Sequence, residues 1–153
     1  MQVQSIMTRD VKTVREDTPV SEVARLMCAH DVSGLPVLDA AGRVAGIVTE
    51  LDLIARNARL EVPAFVQILD AAIPLEAPSH LRERLRHMLG TRAGDIMTRK
   101  VHTVRPEAEI EDLVELMLKT GANPVPVVEG EHLVAIVSRS DIVRMMATET
   151  GST

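Results

Sequence analysis

The chain has 153 residues, of which 46% are hydrophobic, so it is long enough to bury a sizeable core. A formal net charge of -5 and a single aromatic residue, Phe65, argue against nucleic-acid binding, which uses a basic surface or aromatic stacking platforms. Cys28 is the only cysteine, which excludes an internal disulfide, and neither a signal-peptide pattern nor a long apolar run is present, so we expect a cytoplasmic protein without a membrane span.

Two copies of one pattern organise the sequence. The first copy extends from Ile6 to Ile54 and the second from Ile96 to Val143, at an offset of about ninety residues. Each copy alone would bury too little apolar surface, so we expect the two to pack together. We predict a first repeat over residues 1–60, a helical insert over 61–93, a second repeat over 94–149 and a flexible tail over 150–153, with fraying from Thr148.

Each copy predicts the element order strand, helix, strand, strand, helix. In the first copy the segment from Val11 to Val14 is weakly alternating, and residues 34–38 and 44–48 predict two strands joined by a hairpin loop. Residues 126–128 and 133–137 predict the matching hairpin of the second copy. Pro36 and Pro126 lack an amide donor, so we place them at a strand start or edge, where free backbone groups would form a ligand rim.

The first helix of each copy carries an apolar stripe. Thr18 and Pro19 suit an N-cap and a first helical position, although the second copy lacks this start. The stripe makes Cys28 a core residue rather than a reactive thiol. Its members are Val20, Val23, Ala24, Met27 and Cys28 in the first copy and Ile110, Leu113, Val114, Met117 and Leu118 in the second.

The insert has no counterpart elsewhere in the chain. Prolines punctuate it, and two helical patterns fit between them, one with Phe65 and one after a Ser79 cap. The second pattern carries Arg82, Arg84 and Arg86, which we interpret as a solvated face rather than an anionic docking surface. An insert of this length favours a function, so the stretch from Ala55 to Gly94 is our candidate for contact with a partner protein.

Two strand-to-helix turns are the candidate site. Thr49 and Ser138 stand at helix N-cap positions, and Asp52 and Asp141 follow three residues later. One interpretation is purely structural: hydroxyl and carboxylate form a capping box. The other is that the carboxylates accept ribose hydroxyls of a nucleotide while helix amides meet a phosphate or sugar. The residues of the motif leave both open.

Metal binding and catalysis find no support in the sequence. The five histidines show no ligand spacing, so we predict no metal site. Asp52 and Asp141 lie in different repeats, and neither motif contains a His, Lys or Cys, so no nucleophile with its base can be named. We predict that the chain is not an enzyme.

The two copies resemble a tandem pair of CBS domains, the cystathionine-β-synthase type module, also called a Bateman module. The resemblance rests on KTV and HTV at the starts, on the Leu-Pro-Val and Val-Pro-Val strands, and on the endings GIVTELD and AIVSRSD. It implies an α/β (α+β) pair of βαββα units that commonly forms a homodimer. It also implies clefts that hold AMP, ADP, ATP or S-adenosylmethionine as a regulatory ligand rather than a required cofactor.

The resemblance also assigns roles to residues. Asp52 and Asp141 would bind ribose hydroxyls with the help of Thr49 and Ser138. Backbone and aliphatic contacts to adenine would come from Thr13, Leu35, Pro36, Thr103, Val125 and Pro126.

Two differences between the copies bear on ligand choice. Arg139 follows Ser138, whereas Glu50 follows Thr49, so we expect the Ser138–Asp141 site to prefer a phosphorylated nucleoside. Gly46 is replaced by Ala135 in the second copy, and we expect the extra methyl group to narrow the second cleft.

Two function classes follow as the leading hypotheses. The first is a nucleotide-sensing module whose shape change is recognised by a separate regulated protein. The second is a dimerisation or interaction scaffold whose motifs only cap helices. Melting with adenosine compounds distinguishes them, because only the first is stabilised by ligand.

Overall fold

The computed structural model describes residues 1–59 and 91–151. The first repeat contains strand β1 (Val14–Arg15), helix α1 (Val20–His30), strands β2 (Gly34–Leu38) and β3 (Val44–Thr49), and helix α2 (Glu50–Arg59). The second contains helices α3 (Ala93–Ile96) and α4 (Ile110–Thr120), strands β4 (Val125–Glu129) and β5 (His132–Val137), and helix α5 (Arg139–Thr150). A short 3-10 helix, Val3–Ser5, precedes the first repeat. The predicted mixed class is confirmed, and the first repeat has the predicted order of strand, helix, strand, strand, helix. Within residues 91–151 the second repeat has no strand before α4, so its predicted first strand is wrong.

The two repeats build two small sheets. In the first, β2 lies between β1, to which it is parallel, and β3, to which it is antiparallel. In the second, β4 and β5 form an antiparallel hairpin, and a single parallel bridge from Val104 to Val127 stands where the first repeat has β1. Both hairpins carry an irregularity at matching places, after Val37 and after Val127. The repeat in sequence is therefore a repeat in backbone geometry.

Pro36 lies inside β2, the central strand of its sheet, so the prediction of a strand start or edge is wrong there. Pro126 lies in β4, an edge strand of a two-stranded sheet, as predicted. Pro36 pairs with Ile47, whose N–H and carbonyl both bond to Thr98, at 3.0 and 2.8 Å. Pro126 pairs with Ile136 in the same way. Because these bonds point away from the proline, its missing amide leaves no gap in the hairpin. Both prolines are buried and form no ligand rim.

The segment before each repeat packs on the other repeat. Val3 is fully buried in the core of the second repeat, and the amide of Thr8 donates to the carbonyl of Ile136 at 2.8 Å. In exchange, Ala93 and Met97 belong to the core of the first repeat. We call residues 1–12 and 91–102 the lead-in segments. Their exchange joins the two cores.

Helix α1 begins one residue later than predicted. Its N-cap is Pro19, and the hydroxyl of Thr18 instead accepts a hydrogen bond from the amide of Arg15 at 3.0 Å. The amide of Val20 donates to the carbonyl of Thr91 at 2.8 Å. An otherwise free amide at the helix start is thus satisfied by the other lead-in segment, so the helix needs no side-chain cap there.

Two further predictions are wrong. Cys28 is exposed, because the buried stripe of α1 consists of Val23 and Met27, and the next residue is rotated by about 100° around the helix. Leu118, at the equivalent place in α4, is 82% exposed. Helix α5 continues to Thr150, so the residues from Thr148 to Thr150 are helical rather than frayed.

The predicted helices of the insert, with Phe65, Ser79 and the arginines from Arg82 to Arg86, lie outside the described residues. Within residues 1–59 and 91–151, the longest and most apolar helices fall short of what a bilayer crossing requires.

Candidate functional site

The first candidate turn joins β3 to α2. Asp52 Oδ2 accepts hydrogen bonds from the amide of Thr49 at 2.9 Å and from its hydroxyl at 3.1 Å. The amide of Asp52 donates to Thr49 Oγ1 at 3.4 Å, which completes a reciprocal cap. The other oxygen, Asp52 Oδ1, accepts a hydrogen bond from the hydroxyl of Thr98 at 3.0 Å. A lead-in residue of the second repeat therefore contacts the motif of the first.

The second turn joins β5 to α5 and repeats this geometry. Asp141 Oδ2 accepts from the amide of Ser138 at 2.7 Å and from its hydroxyl at 3.0 Å, within a complete capping box. Here Oδ1 accepts from a guanidinium, Arg144 Nη1, at 2.9 Å. Asp141 is buried, with 8% of its surface exposed. The two carboxylates thus share one role in capping and differ in what holds the second oxygen.

A cavity of about 460 Å³ lies beside the first turn, and we call it the Asp52 cavity. The first repeat contributes the start of α2, and the second contributes its lead-in segment and the turn before β4. Its lining includes Ser33, Ile47, Thr49, Glu50, Leu51, Asp52, Thr98, Lys100, Val101, His102, Thr120, Gly121, Ala122, Asn123, Pro124 and Arg139.

A second cavity of about 520 Å³ lies beside the second turn, and we call it the Asp141 cavity. The first lead-in segment and the start of α5 line it, together with the turn before β2. Its lining includes Thr8, Asp10, Val11, Lys12, His30, Asp31, Val32, Ser33, Gly34, Leu35, Glu50, Pro124, Ile136, Ser138, Ser140, Asp141 and Arg144. Ser33, Glu50 and Pro124 line both cavities, so the two adjoin.

The structure divides the predicted site residues into three groups. Thr49, Asp52 and Arg139 line the Asp52 cavity, and Leu35, Ser138 and Asp141 line the Asp141 cavity. The remaining predicted residues lie in neither lining: Thr13 and Thr103 are exposed on the surface, and Pro36, Val125 and Pro126 are buried in the cores.

Arg139 does not serve the site in which the sequence placed it. Its amide donates to Asn123 Oδ1 at 2.9 Å and its guanidinium donates to the carbonyl of Gly121 at 3.3 Å. These contacts direct it into the Asp52 cavity, whereas Glu50 lines both cavities. The assumption that Arg139 favours phosphate beside Asp141 is therefore wrong, because neighbours at a helix start point in different directions.

The methyl group of Ala135 does not narrow a cavity. Ala135 is fully buried in the core of the second repeat. At the equivalent Gly46, an added Cβ would lie 2.6 Å from Met97 Sδ, so this position also faces a lead-in methionine. The expected difference in cleft width is wrong because both residues contact the core.

Several residues that line the cavities were not predicted from the sequence. They come mainly from the lead-in segments: Thr8 and Lys12 in the Asp141 cavity, and Thr98, Lys100 and His102 in the Asp52 cavity. The signal was present, because Met-Thr-Arg recurs at the start of each copy. The recurrence of this Thr in both copies is the signal that indicates a role beyond linking two elements.

With this geometry established, the comparisons with known proteins decide the family. A CBS domain model matches residues 3–58 and 93–148. The chain belongs to the CBS domain family. The matched ranges comprise both repeats, so this CBS pair contains two domains in tandem.

Known relatives agree with this assignment. The uncharacterised protein MJ1426 of Methanocaldococcus jannaschii is 31% identical, over 95% of this chain and 91% of its own. The chloroplastic CBS domain-containing protein CBSX1 of Arabidopsis thaliana is 28% identical over 93% of this chain, but only 62% of its length is spanned. The structure of CBSX2 in complex with AMP superposes with a TM-score of 0.72 and 26% identity, covering 97% of this chain and 98% of that one.

Within residues 1–59 and 91–151, no group of three or more His, Cys, Asp or Glu side chains is arranged to hold a metal ion.

Proposed function

We propose that this CBS pair is a regulatory module that binds an adenosine compound in at least one of its two cavities. The observation that carries the proposal is the arrangement of the two carboxylates. In each, one oxygen is fixed by the cap, and the other contacts a side chain that also lines the cavity. The complex of the related CBSX2 with AMP supports the choice of ligand class.

The chemistry of the cavities suits such a ligand. A carboxylate oxygen accepts hydrogen bonds from ribose hydroxyls, and its position is already determined by the cap. Volumes of about 460 and 520 Å³ are within the range of small-molecule sites. Aliphatic residues such as Val11 and Val101 provide apolar surface for a base, since the described linings contain no Phe, Tyr or Trp.

A bound ligand would contact residues of both repeats. In the Asp52 cavity a ligand contacts α2 of the first repeat and Lys100 of the second lead-in segment. A shift in their relative position is a signal that a separate regulated protein can recognise, provided that the ligand binds one arrangement better. We propose AMP, ADP, ATP or S-adenosylmethionine as the ligand, and a cytoplasmic location remains a prediction.

We also propose that the pair forms a homodimer. Apolar side chains are exposed at equivalent places on two helices, with Ile54 of α2 at 61% and Val143 of α5 at 64%. Leu51 and Met146 extend these surfaces, at 72% and 58%. Apolar surface of this kind favours a second copy of the chain as its partner.

A scaffold that binds no ligand is the alternative. The complete capping boxes at Thr49–Asp52 and Ser138–Asp141 favour it, because capping alone accounts for these residue types.

A melting experiment distinguishes the two. We expect AMP, ADP, ATP or S-adenosylmethionine at a hundredfold excess over its dissociation constant to stabilise the chain by about 2.7 kcal/mol. This corresponds to a rise of about 5–10 °C in Tm for a chain of this size. An external dye is needed, because the chain has no Trp or Tyr.

The variants Asp52→Asn and Asp141→Asn show which of the two cavities binds the ligand. Asparagine retains one oxygen for the cap and replaces the other with an amide that donates, so binding falls while the helix start persists. Asp95→Asn is a matched control, since Asp95 Oδ2 accepts from the amide of Arg92 at 2.9 Å in an exposed cap. A Tm that no adenosine compound raises would leave the scaffold as the better account.

A further inference from the structure

The two cavities differ in how their positive charges are compensated. In the Asp141 cavity, Lys12 Nζ lies 3.3 Å from Asp10 and Arg144 Nη1 lies 2.9 Å from Asp141. Asp31 and Glu50 also line this cavity. Each cation there already has a carboxylate partner, and the described lining contains twice as many acidic side chains as Lys and Arg side chains.

The Asp52 cavity has an even balance of charged side chains. Its described lining contains Lys100 and Arg139 beside Glu50 and Asp52. Arg139 donates to the carbonyl of Gly121, which carries no net charge. Within residues 1–59 and 91–151, neither cation makes an ion pair with a carboxylate. Two cations are therefore available to an anionic group in this cavity.

The two carboxylates also differ in the group that donates a hydrogen bond to their second oxygen, Oδ1. At Asp52 it accepts from the neutral hydroxyl of Thr98, which can rotate and bond to an incoming ribose. At Asp141 it accepts from the guanidinium of Arg144, and charge-assisted bonds are stronger than neutral ones. The equivalent of Arg144 in the first repeat is Ala55, which has no such group. An incoming ribose hydroxyl therefore competes with a weaker hydrogen bond at Asp52 than at Asp141.

We propose that the two cavities select ligands by charge. The Asp52 cavity takes a nucleoside with a 5′-phosphate, whose anion is bound by Arg139 and Lys100. The Asp141 cavity takes a nucleoside whose 5′ substituent is neutral or positive, because both of its cations are already paired and Asp31, which lines this cavity but not the Asp52 cavity, repels phosphate. This proposal rests on the proposed function, that the cavities bind adenosine compounds.

Calorimetric titration with AMP and adenosine tests it, because these ligands differ only in the phosphate. The native chain binds AMP more tightly than adenosine in the Asp52 cavity. Arg139→Gln lowers the ratio of the two affinities by about tenfold, since it removes one charged hydrogen bond to the phosphate. Arg144→Gln is the matched control, and it leaves this ratio within about twofold. Asp52→Asn removes the tight AMP site, whereas Asp141→Asn retains it.

Three results overturn the inference. The first is an Arg139→Gln variant with the native ratio of affinities, and the second is a loss of that ratio in Arg144→Gln instead. The third is a tight AMP site that survives Asp52→Asn. In each of these the proposed function still stands, because an adenosine compound binds. If neither AMP nor adenosine binds the native chain, the proposed function fails and the charge selection fails with it.

Discussion

At the scale of single residues, one close contact between β3 and the second lead-in segment depends on a glycine. Gly46 in β3 faces the lead-in segment, where an added Cβ would lie 2.9 Å from Met97 Cγ and 3.0 Å from the carbonyl oxygen of Thr98. The carbonyl belongs to the bridge with Ile47, so it cannot move away freely. Glycine is needed here for space rather than for an unusual backbone angle.

We expect Gly46→Ala to lower the free energy of unfolding by about 1–3 kcal/mol, as overpacking of a core does. Urea denaturation measures it. Gly151→Ala is the control, because the nearest atoms lie 3.8 Å from its added Cβ. An alanine at position 46 that leaves stability at the control's level would show that Met97 has room to yield.

The sequence predicted individual site residues unevenly. The positions of Thr49, Asp52, Ser138 and Asp141 at the two helix starts were predictable because the motif appears twice at matched positions, and their role in ligand binding stays a prediction. The direction of Arg139 was not predictable, since it depends on its hydrogen bonds to the turn at 121–123, sixteen or more residues earlier in the chain. Sequence spacing defines which residues neighbour one another, but not the side on which each projects.

At the scale of elements, the exchange of lead-in segments shapes the cavities. Thr8 and Thr98 each form two backbone hydrogen bonds with a strand of the other repeat. Each cavity therefore has one wall from a helix start and another from a lead-in segment of the other repeat. Helices and strands were predictable from local periodicity, whereas this exchange joins Thr98 to Ile47 and Thr8 to Ile136, far apart in the chain, and leaves no periodic signal.

The exchange predicts that the first lead-in segment, residues 1–12, stabilises the second repeat. Val3 is fully buried there, so we expect Val3→Ala to cost about 1–3 kcal/mol through lost apolar burial and a residual cavity.

Denaturation followed by circular dichroism checks this prediction, with Gln4→Ala as an exposed control in the same segment. A single transition is expected to shift as a whole, because each core contains residues from the other lead-in segment. A Val3→Ala variant as stable as the control, or one in which only part of the chain melts early, would contradict it.

At the scale of the whole molecule, the doubled sequence made the architecture predictable. Two copies that each bury too little surface must share contacts, and Arg43 Nη1 lies 3.3 Å from Glu131 between the two hairpin loops. The assembly beyond one chain was an implication of the family resemblance, and its support is the exposed apolar surface of α2 and α5.

We expect the native chain to sediment as a dimer and Ile54→Glu with Val143→Glu to sediment as a monomer, because a buried unpaired charge is costly. Sedimentation equilibrium measures the mass. Leu118→Glu is the control, as an apolar residue on α4 that is even more exposed, at 82%. A native chain with the mass of one copy, or a dimer that the double variant leaves intact, would contradict this interface.

We propose that the carboxylates at the two helix starts hold an adenosine ligand. Calorimetric titration of AMP into the native chain and into the Asp52→Asn, Asp141→Asn double variant tests it most directly. We predict saturable binding to the native chain and none to the double variant, while both retain the same circular dichroism spectrum. Equal binding to the two proteins, or no binding to the native chain, would contradict the claim and leave the two turns as helix caps.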